Sequence, residues 1–209
     1  MYRVKEIFRT LQGEGGQSGT PMVFVRFSGC NLWSGHEADR ARDAARHAAE
    51  CPRWCDTDFV AGDKLGVDEL ADRVQALAGP RWICFTGGEP TLQLDRALLD
   101  ATRAAGYRAA VETNGSVDLA PIRDLLDWVC VSPKQSELIV RAGDELKVIY
   151  TGQPDEEVRR LEALDFRHRF LQPAWGPEYQ RNLDGAVRFL ESQPLWRLSL
   201  QTHKLIGLR

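Results

Sequence analysis

From residue 66 onward the sequence repeats one unit: a short apolar run, a polar loop, then a segment with helical spacing. Between 67 and 78 the side chains Val67, Leu70, Ala71, Val74 and Leu77 fall on one side of a helix, the stripe that a core would cover. Short apolar runs at 82–85, 108–111, 128–131, 146–150, 168–171 and 196–200 read as strands. Further helices are expected at 94–105, 119–126, 155–164 and 183–190, with Pro121 in the first turn of its segment, where a helix tolerates it. Such alternation predicts an α/β chain with a parallel sheet. A closed eight-fold barrel takes about 250 residues, whereas this chain has 209. An open, incomplete (β/α)6-type barrel is therefore expected, as one domain over 1–209. Periodicity alone leaves a doubly wound sheet open.

Ahead of the repeat, 4–9 alternates weakly as a first strand, 11–16 is a Gly-rich turn, and 22–27 is an apolar run suited to a buried strand. Residues 28–58 then hold Cys30, Cys51 and Cys55, three of the five cysteines. Chemistry in α/β proteins gathers beyond the C-terminal ends of strands, so three thiols there point to a metal or cluster with one coordination position left for a ligand. Residues 36–50 of the same loop are rich in Ala, Arg, Asp and Glu with little apolar face. That mix predicts an exposed helix inserted between the cysteines. Thiolates suit both an iron–sulfur cluster and zinc, and His36 or His47 would complete a Cys₃His site. The cysteines alone leave both open. Cys84 and Cys130 lie inside apolar runs and read as small buried hydrophobes, and His168 reads as structural or solvated.

Composition narrows the class. The net charge is −3 with both signs interspersed, so neither nucleic acid nor a membrane surface is favoured as a partner. No apolar run is long enough to span a bilayer and the first residues lack a signal-peptide pattern, so a cytoplasmic protein is expected. In that reducing compartment clustered cysteines lean towards metal binding or catalysis rather than disulfides.

The sequence Phe27-Ser28-Gly29-Cys30-Asn31-Leu32, the Trp54-Cys55 pair and the run Thr86-Gly87-Gly88-Glu89-Pro90 together resemble the radical S-adenosylmethionine (SAM) enzymes. The gaps of 20 and three residues between the cysteines are longer than that family's usual three and two. The extra residue between Cys51 and Cys55 must bulge, or the second ligand must sit differently. A long first gap is known in the 7-carboxy-7-deazaguanine synthase branch, which this chain resembles along nearly its whole length. The likeness is carried by Leu11-Gln12-Gly13-Glu14-Gly15, Cys30-Asn31-Leu32-Trp33-Ser34-Gly35 and Cys55-Asp56-Thr57-Asp58. Downstream it continues in Glu112-Thr113-Asn114-Gly115, Ser132-Pro133-Lys134, Gln172-Pro173 and Gln201-Thr202-His203-Lys204.

The resemblance implies a radical SAM partial barrel with a helical insertion in the cluster-binding loop. It implies conversion of 6-carboxy-5,6,7,8-tetrahydropterin to 7-carboxy-7-deazaguanine, with a [4Fe–4S] cluster, SAM and Mg²⁺. Cys30, Cys51 and Cys55 would hold the cluster, and Thr57 would be the protein's ligand to Mg²⁺. Trp54, Asp56, Gly88, Ser132, Pro133 and Lys134 would contact SAM, as would Gln172, Pro173, Ala174 and Trp175. Leu11, Gln12, Gly13, Arg26, Thr86 and His203 would line the pterin pocket, Glu14 and Glu112 would accept its N–H edge, and the carboxylate of Arg209 would reach the substrate. On residue type alone a structural pair with Glu14 is the lesser alternative for Arg26, and His203 would be a surface histidine. An electron donor such as flavodoxin or ferredoxin is implied, and an apolar face on an incomplete barrel would favour a homodimer. The competing readings are a glycyl-radical activating enzyme and, in another class, a zinc-stapled binding module.

Overall fold

The structure, a computed structural model, describes residues 1–135 and 137–208. In chain order the elements are β1 (Tyr2–Leu11), β2 (Pro21–Phe27), α1 (Arg40–His47), α2 (Cys51–Trp54), β3 (Asp63–Leu65) and α3 (Val67–Gln75). They continue with β4 (Trp82–Gly87), α4 (Arg96–Ala104), β5 (Arg108–Thr113), β6 (Trp128–Val131) and β7 (Ala142–Tyr150). The last are α5 (Asp155–Arg159), β8 (Asp165–Pro173), α6 (Tyr179–Leu190), β9 (Arg197–Leu198) and α7 (Thr202–Leu205). The strands form one nine-stranded sheet in the order β3-β1-β2-β4-β5-β6-β7-β8-β9. From β2 to β9 every neighbouring pair is parallel, and β1 and β3 extend the β2 edge antiparallel. Beyond β2 the order never reverses, so the sheet lacks the switch point that defines a doubly wound fold. Among the described residues no helix is long and apolar enough to cross a membrane.

Side chains alternate across a strand, and here the alternation divides labour. Val23, Val25 and Phe27 of β2, Ile83 and Phe85 of β4, and Val111 of β5 join the main core under α3 and α4. Val129, Val131, Leu146, Val148 and Leu171 continue it. The residues between them in sequence face the other way. Nearer the N-terminal ends that second face carries Phe8, Met22, Phe24 and Cys84. Towards the C-terminal ends it turns polar, with Arg26, Thr86, Glu112, Lys147 and Gln172 bordering a cavity. Cys84 and Cys130 are buried, and the Cys130 thiol donates to Glu145 Oε1 at 3.4 Å.

Three expectations need correction. Residues 119–126 form no α-helix but successive tight turns ending in the 3₁₀ helix Arg123–Leu125. Leu119, Ile122, Leu125 and Leu126 are buried, while the turns bond each third residue: Ile122 to Leu119 and Leu125 to Ile122. A three-residue spacing serves both helix types, so the apolar pattern could not separate them. The final strand shrinks to Arg197–Leu198. The inserted helix is also shorter than 36–50: α1 stops where Ala48 turns left-handed at φ 46°, and α2 follows as a separate turn beyond the insertion.

The carboxylate of Glu89 joins the end of β4 to the end of β5. It is wholly buried and accepts from Thr91 N (3.1 Å), Thr91 Oγ1 (2.5 Å), Thr113 Oγ1 (2.7 Å) and Asn114 N (2.7 Å). Burial pushes its pKa up while these donors oppose the shift. All four partners are donating to it, so an amide there would set N–H against N–H. Glu89→Gln should cost about 2–3 kcal/mol of stability, the penalty for unsatisfied buried donors, read as a lowered urea midpoint at constant slope.

Candidate active site

The cavity beyond the C-terminal strand ends has a volume of about 590 Å³. One wall carries the three thiols. Cys30 follows β2 after a turn through Gly29, while Cys51 and Cys55 bracket α2, and all three line the cavity. Cys55 N donates to Cys51 O at 2.8 Å, a single α-helical turn. Residues four apart share a helix face, so the extra residue between these cysteines makes one helical turn rather than a bulge, and both cysteines border the cavity.

Burial makes the free thiols of this wall harder to ionise, and neighbouring donors offset only part of that cost. Burial raises the Cys30 thiol pKa, and the backbone N–H groups of Leu32 (3.4 Å to Sγ) and Trp33 oppose that rise. Burial pushes Cys51 up to about 12, with the ammonium of Lys134 acting against it. Lys134 lies 4.7 Å over the Trp54 ring and donates to Ser132 Oγ at 2.9 Å. Burial lowers its pKa, and among the described residues no carboxylate pairs with it. A cation held here without a counter-anion suits an anionic ligand, although among the described residues no three His, Cys, Asp or Glu side chains stand close enough together to hold a metal ion. Neither His36, which is exposed, nor His47 lines the cavity with the thiols.

Gly88 lines the same wall for a reason that the sequence did not reveal. A Cβ there would collide with the carbonyl oxygen of Gly29 and crowd Cys30 Cβ at 3.1 Å. Gly88 N donates to Phe27 O (3.2 Å) and Glu89 N to Gly29 O (2.9 Å), so the glycine lets β4 fasten the Cys30 loop.

The opposite wall is a buried charge network. Lys147 Nζ reaches Glu14 Oε2 at 2.5 Å and Glu112 Oε1 at 3.4 Å. Gln12 Nε2 donates to Glu112 Oε1 (3.0 Å), Thr86 Oγ1 to Glu112 Oε2 (3.4 Å) and Gln201 Nε2 to Glu14 Oε1 (2.9 Å). Burial alone would raise the Glu14 pKa, but the charge of Lys147 and hydrogen bonds from Lys147, Gln201 and Gln172 hold it down to about 2. Burial works against the Lys147 ammonium, while the Cys130 sulfur and the carboxylates of Glu112, Glu14 and Glu145 hold its pKa well above the ordinary lysine value.

Leu11, Gly13, Arg26, Trp54, Asp56 and Thr57 also line the cavity, as do Ser132, Gln172 and His203. Pro133, Pro173, Ala174 and Trp175 do not border it. Trp175 instead packs on Tyr179 at 4.6 Å, with Lys204 Nζ 5.3 Å above its ring. Arg209 lies outside the described residues. Arg26 pairs with Glu6 at 2.7 Å rather than with Glu14, because Glu6 of β1 is its direct cross-strand neighbour. His203 is half-buried against Gly13, where no Cβ would fit, and burial lowers its pKa. Thr202 N and Oγ1 both reach Gly13 O at 2.9 Å, and Lys204 pairs with Asp56. Thus α7 ties the first loop to the cysteine loop.

Lys147 was hidden inside an apolar strand. Its signal is the charge itself: a lysine flanked by Leu146 and Val148 must find a buried counter-charge or a ligand. Glu14 stabilises the fold above its ordinary value of 4.5, and that contribution is lost as pH falls from there towards about 2. Lys147→Met should therefore cost about 3–5 kcal/mol near neutral pH. The gap to wild type should narrow as pH falls through that window, measured from urea midpoints against pH.

No protein-family model matches the chain. The structure of QueE from Escherichia coli matches it with a TM-score of 0.69 at 23% identity, covering 97% of this chain and 94% of that one. That is a likeness of fold. Curated relatives are much nearer in sequence. A 7-carboxy-7-deazaguanine synthase of Bordetella pertussis is 47% identical over 218 aligned positions, spanning 99% of each chain. Proteins of the same name from Bradyrhizobium diazoefficiens (100% of this chain, 99% of the relative) and Caulobacter vibrioides (99% of each) are both 49% identical. At that identity over essentially the full length, the chain belongs to the 7-carboxy-7-deazaguanine synthase family.

Proposed function

We propose that the chain is a radical SAM enzyme that converts 6-carboxy-5,6,7,8-tetrahydropterin to 7-carboxy-7-deazaguanine with ring contraction and loss of ammonia. One observation carries this reading: a single cavity presents three thiols on one wall and a fixed Glu14–Lys147–Glu112 network on the other. Seven parallel strands in unbroken order support the reading of the sheet as an open, incomplete (β/α)6-type barrel. Cys30, Cys51 and Cys55 would hold a [4Fe–4S] cluster that leaves one iron free for SAM. With one electron from the reductant, the bound cluster and SAM would supply radical chemistry able to abstract the hydrogen at C6 of the pterin, with methionine released.

The chain's own residues bind and orient. Lys134 offers a positive charge to the anionic end of SAM, with Ser132, Gly88 and Gln172 beside it in the cavity and Trp54 and Asp56 towards the adenine. Glu14 stays ionised under the hold of Lys147, so it accepts hydrogen bonds from the N–H edge of the pterin, and Glu112 faces the same space. A neutral His203, with Gln12, Thr86 and Arg26, completes that pocket. Thr57 supplies an oxygen for Mg²⁺ near the substrate carboxylate, a hard donor for a hard cation. The reductant is a small flavin or iron–sulfur protein such as flavodoxin or ferredoxin, and the working form is a homodimer in the cytoplasm.

Protein purified without oxygen should be brown and hold about four irons per chain. With the carboxy-tetrahydropterin, SAM, Mg²⁺ and a reductant it should form 7-carboxy-7-deazaguanine, and Cys55→Ala should lose both colour and product. A colourless protein with one zinc would overturn the reading, and a cluster-bearing protein that leaves the pterin unchanged would point to a glycyl-radical activating enzyme.

A further inference from the structure

The helical insertion between Cys30 and Cys51 sends one side chain back to the cysteine turn. Arg40, the first residue of α1, donates from Nη1 to Pro52 O at 2.6 Å and from Nη2 to Cys55 O at 3.1 Å. Its Nε donates to Glu37 Oε2 at 2.6 Å, and its guanidinium lies 4.5 Å over the ring of Trp33. Trp33 is 5% exposed and meets Phe59 edge-on at 5.5 Å, so the platform under the guanidinium is fixed.

The two carbonyls need this partner. An isolated single turn is unstable in water, and α2 is only four residues long. Its Cys51 carbonyl is taken by Cys55 N, but later carbonyls in a helix end lack the N–H four residues on that would satisfy them. The planar fork of an arginine spans two such carbonyls at once, which a lysine cannot do. Arg53 lies in the same turn yet is half exposed and, among the described residues, pairs with Glu50 at 3.0 Å, so it offers a matched control.

We infer that Arg40 is the positioning residue for the second and third cluster ligands: it clamps the Cys51–Cys55 turn so that both thiols face the cavity. This rests on the proposed cluster reading, and it gives the insertion a role beyond that of a spacer. Without the clamp the turn should fray while the sheet stays folded.

The test compares wild type with Arg40→Ala, Arg40→Lys and Arg53→Ala, by amide exchange of the iron-free proteins and by bleaching of the reconstituted proteins in a chelator. Arg40→Ala should speed exchange at residues 53–55 about tenfold or more, the scale of losing hydrogen bonds to a charged group, and leave β5 unchanged. Its cluster should bleach faster by a similar factor. Arg40→Lys should fall between, and Arg53→Ala should match wild type. If Arg40→Ala loosens the whole fold, Arg40→Lys decides, because its effect must still be confined to the turn. Exchange at 53–55 that stays at the wild-type rate in Arg40→Ala, or that rises equally in β5 in Arg40→Lys, would overturn the inference. A wild-type protein that takes up no iron would sink the cluster reading instead, while the exchange data would still decide whether Arg40 holds the turn.

Discussion

A lysine ammonium between two carboxylates, at the polar end of an otherwise apolar sheet, is the constraint around which the cavity forms. Lys147 is 4% exposed, and leaving it without counter-charges there would cost several kcal/mol. Glu14 comes from the loop after β1 and Glu112 from β5, so satisfying one buried charge fixes three distant segments. Gln12, Thr86 and Gln201 add one donor each to the two carboxylates, which keep lone pairs for a ligand, and Gln201 brings α7 with it. The closure of the cavity by the last helix thus follows from the demands of a strand residue 54 positions earlier, counting back from 201 to 147.

The sulfur wall obeys a different constraint, that of close backbone approach. Gly88 lets the end of β4 bond the Cys30 loop, while Glu89 in the next position bonds the end of β5. Cys30 is therefore held by the sheet itself. Cys51 and Cys55 are held by a local turn, and their backing comes from Leu32, Ala49 and the insertion. The two parts of the wall have separate supports, one global and one local, which makes the insertion the weaker of them.

Much of this was legible in the sequence where one residue type answers one physical demand. Apolar runs such as 82–85 and 128–131 became buried strands, and the three cysteines of 28–58 border the cavity beyond the strand ends, as their place after the 22–27 strand suggested. Two further outcomes depended on geometry that no pattern encodes. The gap between Cys51 and Cys55 looked like an irregularity and is one turn of helix, and 119–126 looked like a helix and is a run of three-residue turns. Partner choice was the least legible. Arg26 took Glu6 across the strand pair instead of Glu14, since the register that sets Glu6 opposite Arg26 is a property of the pairing and not of either strand alone. The placement of Trp175 outside the cavity also followed from long-range packing, on Tyr179 and beneath Lys204.

The central claim is that one cavity holds the pterin on its charged wall with C6 turned to the sulfur wall. The most direct measurement follows deuterium placed at C6 of the carboxy-tetrahydropterin, with cluster, SAM, Mg²⁺ and reductant present. Deuterium recovered in SAM or 5′-deoxyadenosine, at a rate matching formation of 7-carboxy-7-deazaguanine, is the predicted result. Product formed at full rate with no deuterium in either molecule would contradict the claim.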